Sequence, residues 1–229
     1  MPDYQFAYLI GDLIAFTVWL ILFIHRKDLR HKMLFLSIIV GFIGPISEFW
    51  YLKDYWKPLN ITNTTIGIED YFFGFFIGGI ASVLYEEFFA KKFSQRHLRK
   101  HHWVVILIML MGITVVISNI LFFILKINSI YVGTIAFLIM CFCMLVFRKD
   151  LWFDAVASGL LLSTFFFLGY VILLIIYPDI FNKMWYLQNL SGIYVGKIPI
   201  EEILWAFGAG MMTGPMYEFY TGLTLKKST

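Results

Sequence analysis

The chain has 229 residues, of which 60% are hydrophobic and 20% aromatic, while only 14% are charged and the formal net charge is +3. Long runs without charge are typical of multispanning membrane proteins, and in a chain of this length they exclude a separate soluble domain. Its two cysteines, Cys141 and Cys143, lie together in one apolar run, so the sequence predicts neither a disulfide framework nor a zinc site.

Seven apolar runs are long enough to cross a bilayer, which takes about 20 helical residues. Asp12 lies within the first run and no basic segment precedes that run, so we expect a retained helix and not a cleaved signal peptide. The sequence therefore predicts an all-α bundle of seven transmembrane helices. The runs are 7–25, 33–51, 70–90, 103–125, 128–147, 152–177 and 200–222.

Lysine and arginine are concentrated in four segments outside the runs. These segments, 26–32, 91–100, 148–149 and 226–227, hold thirteen of the eighteen basic residues. Cytoplasmic loops carry an excess of Lys and Arg, so the pattern predicts that the N-terminus lies outside and the C-terminus inside.

Three histidines, His97, His101 and His102, lie in the second basic segment. Membrane di-iron oxygenases need several histidine clusters, whereas this chain has five histidines in all. We interpret these three as contacts with anionic membrane lipid, and we predict no metal site.

The chain contains an internal duplication. The segment Arg26–Leu29 after the first run recurs as Arg148–Leu151 after the fifth, and Trp-containing loops precede the third and seventh runs, with Trp56 in one and Trp185 in the other. This pattern predicts two parallel three-helix repeats, related by an axis along the membrane normal and joined by a linker helix, a 3+1+3 arrangement.

We expect a single integral-membrane domain over residues 1–229. Repeat one covers 1–92, the linker helix 101–126 and repeat two 127–229.

The third and seventh runs each begin with a carboxylate pair and carry another carboxylate seventeen residues later. Seventeen helical residues cover roughly 25 Å, so each pair and its later carboxylate are expected at opposite membrane faces. Carboxylates beside a spanning helix are costly, and they mark candidate functional sites. The pairs are Glu69-Asp70 and Glu201-Glu202, and the later carboxylates are Glu86 and Glu218.

Two interpretations of the pairs stay open. Acids at a helix N-terminus can simply cap the helix and face water. Alternatively, adjacent acids in an apolar cavity share protons, and a neutral acid there can protonate an alkene while aromatic faces stabilise the resulting cation. We favour catalysis, because a pair recurs in both repeats beside aromatic side chains. Those aromatic residues are Phe72, Phe73, Phe75, Phe76, Trp205 and Phe207, and Glu48 is predicted to join the first pair.

Other residues of the same helices are predicted to be structural. Glu86 and Glu218 follow Tyr85 and Tyr217, which favours anchoring or ion pairing. Small residues that include Gly78 and Gly210 let helices approach closely. We predict that the two small-residue lines bring the third and seventh runs together near the repeat axis. The alternative is that each line faces another helix of its own repeat. The lines are Gly74, Gly78 and Ser82 in one helix and Ala206, Gly210 and Gly214 in the other.

The motif Pro199–Glu202, the Tyr-Glu helix ends and the two three-span repeats resemble the lycopene cyclase domain family, small integral-membrane carotenoid cyclases. Pro199 matches the proline of the family's Pro-x-Glu-(Glu/Asp) motif, whereas Gly67 replaces it in the first repeat. The resemblance implies a redox-neutral isomerisation: an acid protonates the terminal alkene of an acyclic carotenoid, the cation closes to a six-membered ring, and a base removes a proton to leave an ionone-type ring.

The resemblance also implies roles for particular residues. Glu201 and Glu202 would be the first acid candidates, Glu69 and Asp70 partner acids or bases, and Trp205 with the phenylalanines a shield for the cation. The substrate would be an apolar polyene that enters from the bilayer of a prokaryotic cytoplasmic membrane. No cofactor is evident, nucleic acid is not an expected partner, and self-association or association with other carotenoid-biosynthesis enzymes stays open.

Two other functions remain as alternatives. A small seven-span transporter would have polar residues at the midplane, but the third and seventh runs hold mainly Gly, Ala, Phe and Met there. A non-catalytic relative that binds carotenoid or lipid would copurify with pigment without converting it.

Overall fold

The structure is a computed structural model that describes residues 3–97 and 103–227. Within these residues the chain is almost entirely helical. The helices are α1 (Ala7–His25), α2 (Arg30–Asp54), α3 (Ile68–Ala81), α4 (Leu84–Phe88), α5 (Trp103–Asn119), α6 (Ser129–Phe147), α7 (Trp152–Ile176), α8 (Ile180–Met184), α9 (Ile200–Thr213) and α10 (Met216–Thr221). The strands are β1 (Lys91–His97), β2 (Tyr194–Val195), β3 (Ile198–Pro199) and β4 (Leu223–Lys227).

Six helical segments of the described chain are long and apolar enough to cross a membrane. Their outward surfaces carry large exposed apolar side chains, such as Ile108, Phe142 and Ile175, which suits contact with lipid. The chain is therefore an all-helical membrane protein. The six segments are Tyr4–His25, Arg30–Asp54, Ile68–Phe88, Val104–Ile124, Ser129–Phe147 and Lys149–Ile176.

The seventh apolar run is divided into α9 and α10 and is not among these six segments. The division falls at Gly214 and Pro215, because proline has no backbone N–H with which to continue the helical ladder. A similar break separates α3 from α4 at Ser82, whose hydroxyl donates to the Gly79 carbonyl at 2.7 Å. Both breaks lie thirteen residues after the first carboxylate of their helix.

The small-residue lines pack inside their own repeats. A Cβ atom added at Gly78 would lie 2.9 Å from the Leu36 carbonyl oxygen of α2, and one added at Gly210 would lie 2.5 Å from the Ser158 carbonyl oxygen of α7. Backbone therefore meets backbone between α2 and α3 and between α7 and α9. Gly78 and Gly210 thus face another helix of their own repeat, as the second of the two predicted arrangements requires. α3 and α9 also contact each other.

One end of the bundle, which we call the tryptophan end, is closed by two extended segments that run antiparallel. Lys57 N–H donates to the Met184 carbonyl at 2.8 Å, and Tyr186 N–H donates to the Tyr55 carbonyl at 2.9 Å. Trp56 and Trp185 face each other between these bonds, with ring centroids 5.7 Å apart. The two Trp-containing loops thus join directly.

The opposite end, which we call the strand end, is closed by β1 and β4, which pair antiparallel. Arg26 Nη2 donates to the Lys91 carbonyl at 3.0 Å, and Arg148 Nη2 donates to the Leu223 carbonyl at 2.9 Å. Each arginine therefore holds the first residue of one strand. Sequence patterns gave no strand here.

The predicted histidine cluster is divided by this strand. His97 belongs to β1 and not to a loop, while His101 and His102 lie outside the described residues.

Candidate active site

A cavity of about 590 Å³ lies inside the bundle and is lined by residues from α1, α2, α3, α5, α6, α7, α9 and α10. It extends from the paired tryptophans toward Met216 on α10. Most of the lining side chains are aliphatic or aromatic, and three carboxylates interrupt them. These three are Glu48, Asp70 and Glu202.

Glu202 is held by two donors at the tryptophan end. Trp185 Nε1 donates to Glu202 Oε1 at 2.7 Å, and the Tyr170 hydroxyl forms a short hydrogen bond with Oε2. Glu202 is 3% exposed, and the ion pairs among the described residues do not include it. Burying an ionised carboxylate without a cation costs free energy, so this environment suits the neutral acid.

Asp70 and Glu48 are placed at the same cavity by the other half of the chain. The Tyr8 hydroxyl donates to Asp70 Oδ1 at 2.9 Å. Trp56 Nε1 donates to Glu48 Oε2 at 2.9 Å. The two facing tryptophans therefore each bind a cavity carboxylate.

Glu69 and Glu201, the first members of the two pairs, bind the loops that precede their helices. Glu69 Oε1 accepts from Ile61 N–H at 2.8 Å, and Glu201 Oε1 accepts from Ser191 N–H at 2.7 Å. The Tyr131 hydroxyl also donates to Glu201 at 2.8 Å. Neither glutamate is among the residues that line the cavity.

The predicted aromatic residues likewise separate into those that line the cavity and those that do not. Phe73 and Trp205 line the cavity, and Trp205 Nε1 donates to the Tyr51 hydroxyl at 2.9 Å. Phe72, Phe76 and Phe207 are not among the lining residues. Phe72 is 40% exposed, Phe76 packs on Phe16 and Trp19, and Phe207 packs on Gly159.

Sequence reasoning missed the tyrosine at Tyr170, although a signal for it existed. Tyr170 and Glu48 each lie twenty-two residues after the arginine of the repeated Arg-Lys-Asp-Leu motif. Aligning the two motif copies therefore places Tyr170 opposite a carboxylate that was already a candidate.

Pro199 and Gly67 occupy equivalent places immediately before the two carboxylate helices. Pro199 is the second residue of β3, which pairs with β2 in a small hairpin ahead of α9. Gly67 caps α3, and its N–H donates to Asp70 Oδ2 at 2.7 Å. The proline before α9 has no N–H to donate. The glycine at the equivalent place before α3 donates its N–H to a side chain of its own helix instead.

Glu86 and Glu218 meet at the strand end and are not among the residues that line the cavity. Lys32 Nζ lies 2.5 Å from Glu86 Oε1 and 2.8 Å from Glu218 Oε1. All three side chains are fully buried. The ion pairing involves a helical lysine inside the bundle and not a loop residue.

These features define a membrane protein with an apolar internal cavity that holds carboxylic acids between aromatic side chains. Residues 128–220 match the family model described as lycopene cyclase. Comparison with curated proteins and comparison with solved structures each gave no match. Residues 128–220, which include the Pro199–Glu202 motif, are thus similar to the lycopene cyclase domain family. The match supports a carotenoid cyclase-type function.

Proposed function

We propose that the protein is a lycopene-type carotenoid end-group cyclase, an isomerase that closes an acyclic end to an ionone-type ring. The observation that carries the proposal is the position of Glu202. This residue lies within the region that matches the lycopene cyclase family, and its buried carboxyl group lines an apolar cavity beside Trp185 and Tyr170.

Glu202 supplies the proton in the proposed reaction. Transfer of that proton to the terminal alkene leaves a tertiary carbocation, which a neighbouring double bond attacks to close the six-membered ring. Loss of a ring proton then restores a double bond, so the product has the same mass as the substrate. Asp70 and Glu48, which line the same cavity, are the candidate bases.

Aromatic faces stabilise the cation between these two proton transfers. Trp205 and Phe73 line the cavity, and Phe166 packs against both of them with ring centroids 5.7 and 6.0 Å away. A positive charge over an aromatic face gains about 0.5–2 kcal/mol, more where water is excluded. The same side chains keep water from capturing the cation.

Of the four carboxylates predicted to be catalytic, Glu69 and Glu201 make contacts that support a role in positioning the other two. Each binds a loop N–H, so each fixes the loop that precedes its helix. Their neighbours Asp70 and Glu202 are thereby held toward the cavity.

The substrate is proposed to enter sideways from the bilayer, between α2 and α5. Ile43 on α2 and Ile108 and Val115 on α5 line the cavity and are also 42%, 64% and 55% exposed. An apolar polyene needs no aqueous route, and the redox-neutral reaction needs no electron-carrying cofactor. Association with lipid, with a second copy or with other carotenoid-biosynthesis enzymes is compatible with this entry side.

We also propose the 3+1+3 arrangement, with α9 and α10 together as the seventh span and α5 as the linker. The two closed ends support it, because Trp56 faces Trp185 at one end and Phe93 pairs with Leu225 at the other. Phe93 and Leu225 are equivalent positions, each twenty-four residues after the first carboxylate of its repeat. The repeats and linker would be 1–92, 127–229 and 101–126.

The proposed location is a prokaryotic cytoplasmic membrane, with the tryptophan end outside and the strand end inside. The basic residues around β1 and β4 favour this orientation under the positive-inside rule.

The test is expression in a lycopene-accumulating bacterial host, followed by chromatography of the pigments. We expect a cyclic carotene of unchanged mass with the wild-type chain. Glu202→Gln keeps the size of the side chain but cannot release the proton, so its rate should fall by about 10²–10⁴-fold. Glu201→Gln, its matched neighbour, retains an oxygen for Ser191 N–H and should keep activity within a few fold.

Two results would contradict the proposal in different ways. Wild-type activity in Glu202→Gln would show that another group supplies the proton. Unchanged lycopene with the wild-type protein present in the membrane would argue against lycopene cyclisation. If that lycopene also copurified with the protein, the binding alternative would replace the enzyme.

A further inference from the structure

Three buried carboxylates meet at the strand end and form a group that the cyclisation chemistry does not use. We call them the acid cluster: Glu86 on α4, Asp154 on α7 and Glu218 on α10. One carboxylate oxygen from each lies within 4.8 Å of the others. The residues are 0%, 3% and 0% exposed, so water does not screen their charges.

The charges of this cluster do not balance. Lys32 pairs with Glu86 and Glu218, which sets one ammonium against three carboxylates. Arg148 donates to Asp150 and to the backbone oxygens of Glu218 and Leu223. If all three acids are ionised, the cluster carries two surplus negative charges, and burying unpaired charge is strongly unfavourable.

The hydrogen bonds leave one oxygen free on each acid. Lys32 Nζ donates hydrogen bonds to Oε1 of both glutamates. The Ser158 hydroxyl donates to Asp154 Oδ1 at 3.0 Å. Glu86 Oε2, Asp154 Oδ2 and Glu218 Oε2 are buried and have no hydrogen-bond partner among the described residues. Buried acceptors normally have a partner, and three such atoms in one cluster point to a shared ligand.

We propose that these three oxygens bind one divalent metal cation. Carboxylate oxygens are the ligands that Mg²⁺, Ca²⁺ and Mn²⁺ prefer, at about 2.0–2.6 Å. Two ligands on opposite sides of one such ion are roughly 4–5 Å apart. One oxygen of each acid lies within 4.8 Å of the others, so the three carboxylates are close enough to share an ion. A charge of +2 also cancels the surplus left after the Lys32 pairing.

The site would join the ends of three helices. Glu86 follows the break in the α3–α4 segment, and Glu218 follows the break before α10. A cation bound to both, and to Asp154 of α7, fixes the two broken ends against each other. Its role is to hold the bundle together, and it does not depend on the reaction at the cavity.

Metal binding to the purified full-length chain in detergent tests the proposal. The protein is stripped with chelator and then titrated with Mg²⁺, Ca²⁺ or Mn²⁺. Bound metal is counted by elemental analysis, the Mn²⁺ site is examined by electron paramagnetic resonance, and thermal unfolding is followed in parallel. We expect one ion per chain and an unfolding temperature that rises as the ion binds.

Variants locate the ion. Asp154→Asn and Glu218→Gln each remove a charged ligand and should weaken binding by at least tenfold. Glu87→Gln, beside the cluster but paired with Arg26, should bind as the wild type does. Lys32→Gln removes the ammonium that repels the ion, so it should bind metal more tightly and regain stability when metal is added.

Two outcomes would overturn the proposal. Absence of bound metal in the wild type would show that no metal ion balances the charges of the cluster. Equal metal binding in wild type, Asp154→Asn and Glu218→Gln would place the ion elsewhere. The wild-type titration decides the first point even if a variant fails to fold.

Discussion

Replacement of Gly210 by alanine tests the packing that positions the candidate acid. Gly210 lies on α9, eight residues after Glu202, and faces α7. A Cβ atom there would lie 2.5 Å from the Ser158 carbonyl oxygen and 2.9 Å from both Gly159 Cα and Leu162 Cβ. Ordinary contact needs about 3.5 Å, so α9 would have to move away from α7 by roughly 1 Å.

Overpacking of this kind costs about 1–3 kcal/mol. Gly208→Ala on the same helix is the matched control, because its Cβ would meet Phe137 Cβ at 3.4 Å and Thr134 O at 3.5 Å, close to ordinary contact distances. It should gain up to about 1 kcal/mol from helix propensity. The two variants should therefore differ in opposite directions from wild type.

Thermal unfolding of both variants in detergent measures the difference, at about 2–4 °C per kcal/mol for a chain of this size. Cyclic carotene yield provides a second measurement, since a shift of α9 displaces Glu202. If Gly210→Ala were as stable and as active as Gly208→Ala, the close contact between α7 and α9 would not exist.

Three further substitutions test other contacts. Tyr170→Phe keeps the ring but removes the hydroxyl that contacts Glu202. The kcat should therefore fall by about 10-fold or more with KM little changed. A raised KM with unchanged kcat would contradict a role in positioning Glu202. Lys32→Met in chelator should lower the free energy of unfolding by about 3–5 kcal/mol, because it leaves the charges of buried carboxylates uncompensated, and unchanged unfolding would refute the buried pairing. Arg148→Lys loses the two-pronged bond to Asp150 and should be less stable than the wild type. Arg26→Lys loses the same kind of bond to Asp28, but the Arg26 side chain is 11% exposed and that of Arg148 only 1%, so it should lose less stability in the same assay. An equal loss in both variants would contradict this reasoning.

Sequence periodicity and charge predicted the helical membrane class, and they identified six segments that the structure also has as apolar helices. The strands at the ends were not predictable in the same way. β1 and β4 are more than a hundred residues apart in the chain, and each has few of the alternating apolar residues that mark a strand.

The carboxylates show why a motif identifies residues but not their roles. Glu201 and Glu202 are neighbours on one helix, so their side chains point about 100° apart. One can face the cavity only if the other faces elsewhere. The rotation of α9 decides which, and that rotation depends on contacts with α6 and α7 that no local pattern contains.

The acid cluster illustrates a different limit. Lys32 and Asp154 each lie six residues after the arginine of the repeated motif, so they occupy equivalent positions with opposite charges. A comparison that looks for identical residues passes over such a pair. In the structure, both Lys32 and Asp154 lie beside Glu86 and Glu218.

The break at Gly214 and Pro215 allows α9 and α10 to take different directions, which one continuous helix could not do. In an unbroken helix, any substitution that turned Glu202 would also turn Glu218 four and a half turns away. With a joint between them, each carboxylate takes its direction from its own neighbours: Trp185 and Tyr170 at one end, Lys32 at the other. Substitutions around Glu202 at the tryptophan end can therefore change that carboxylate's direction while the contacts of Glu218 with Lys32 at the strand end stay as they are.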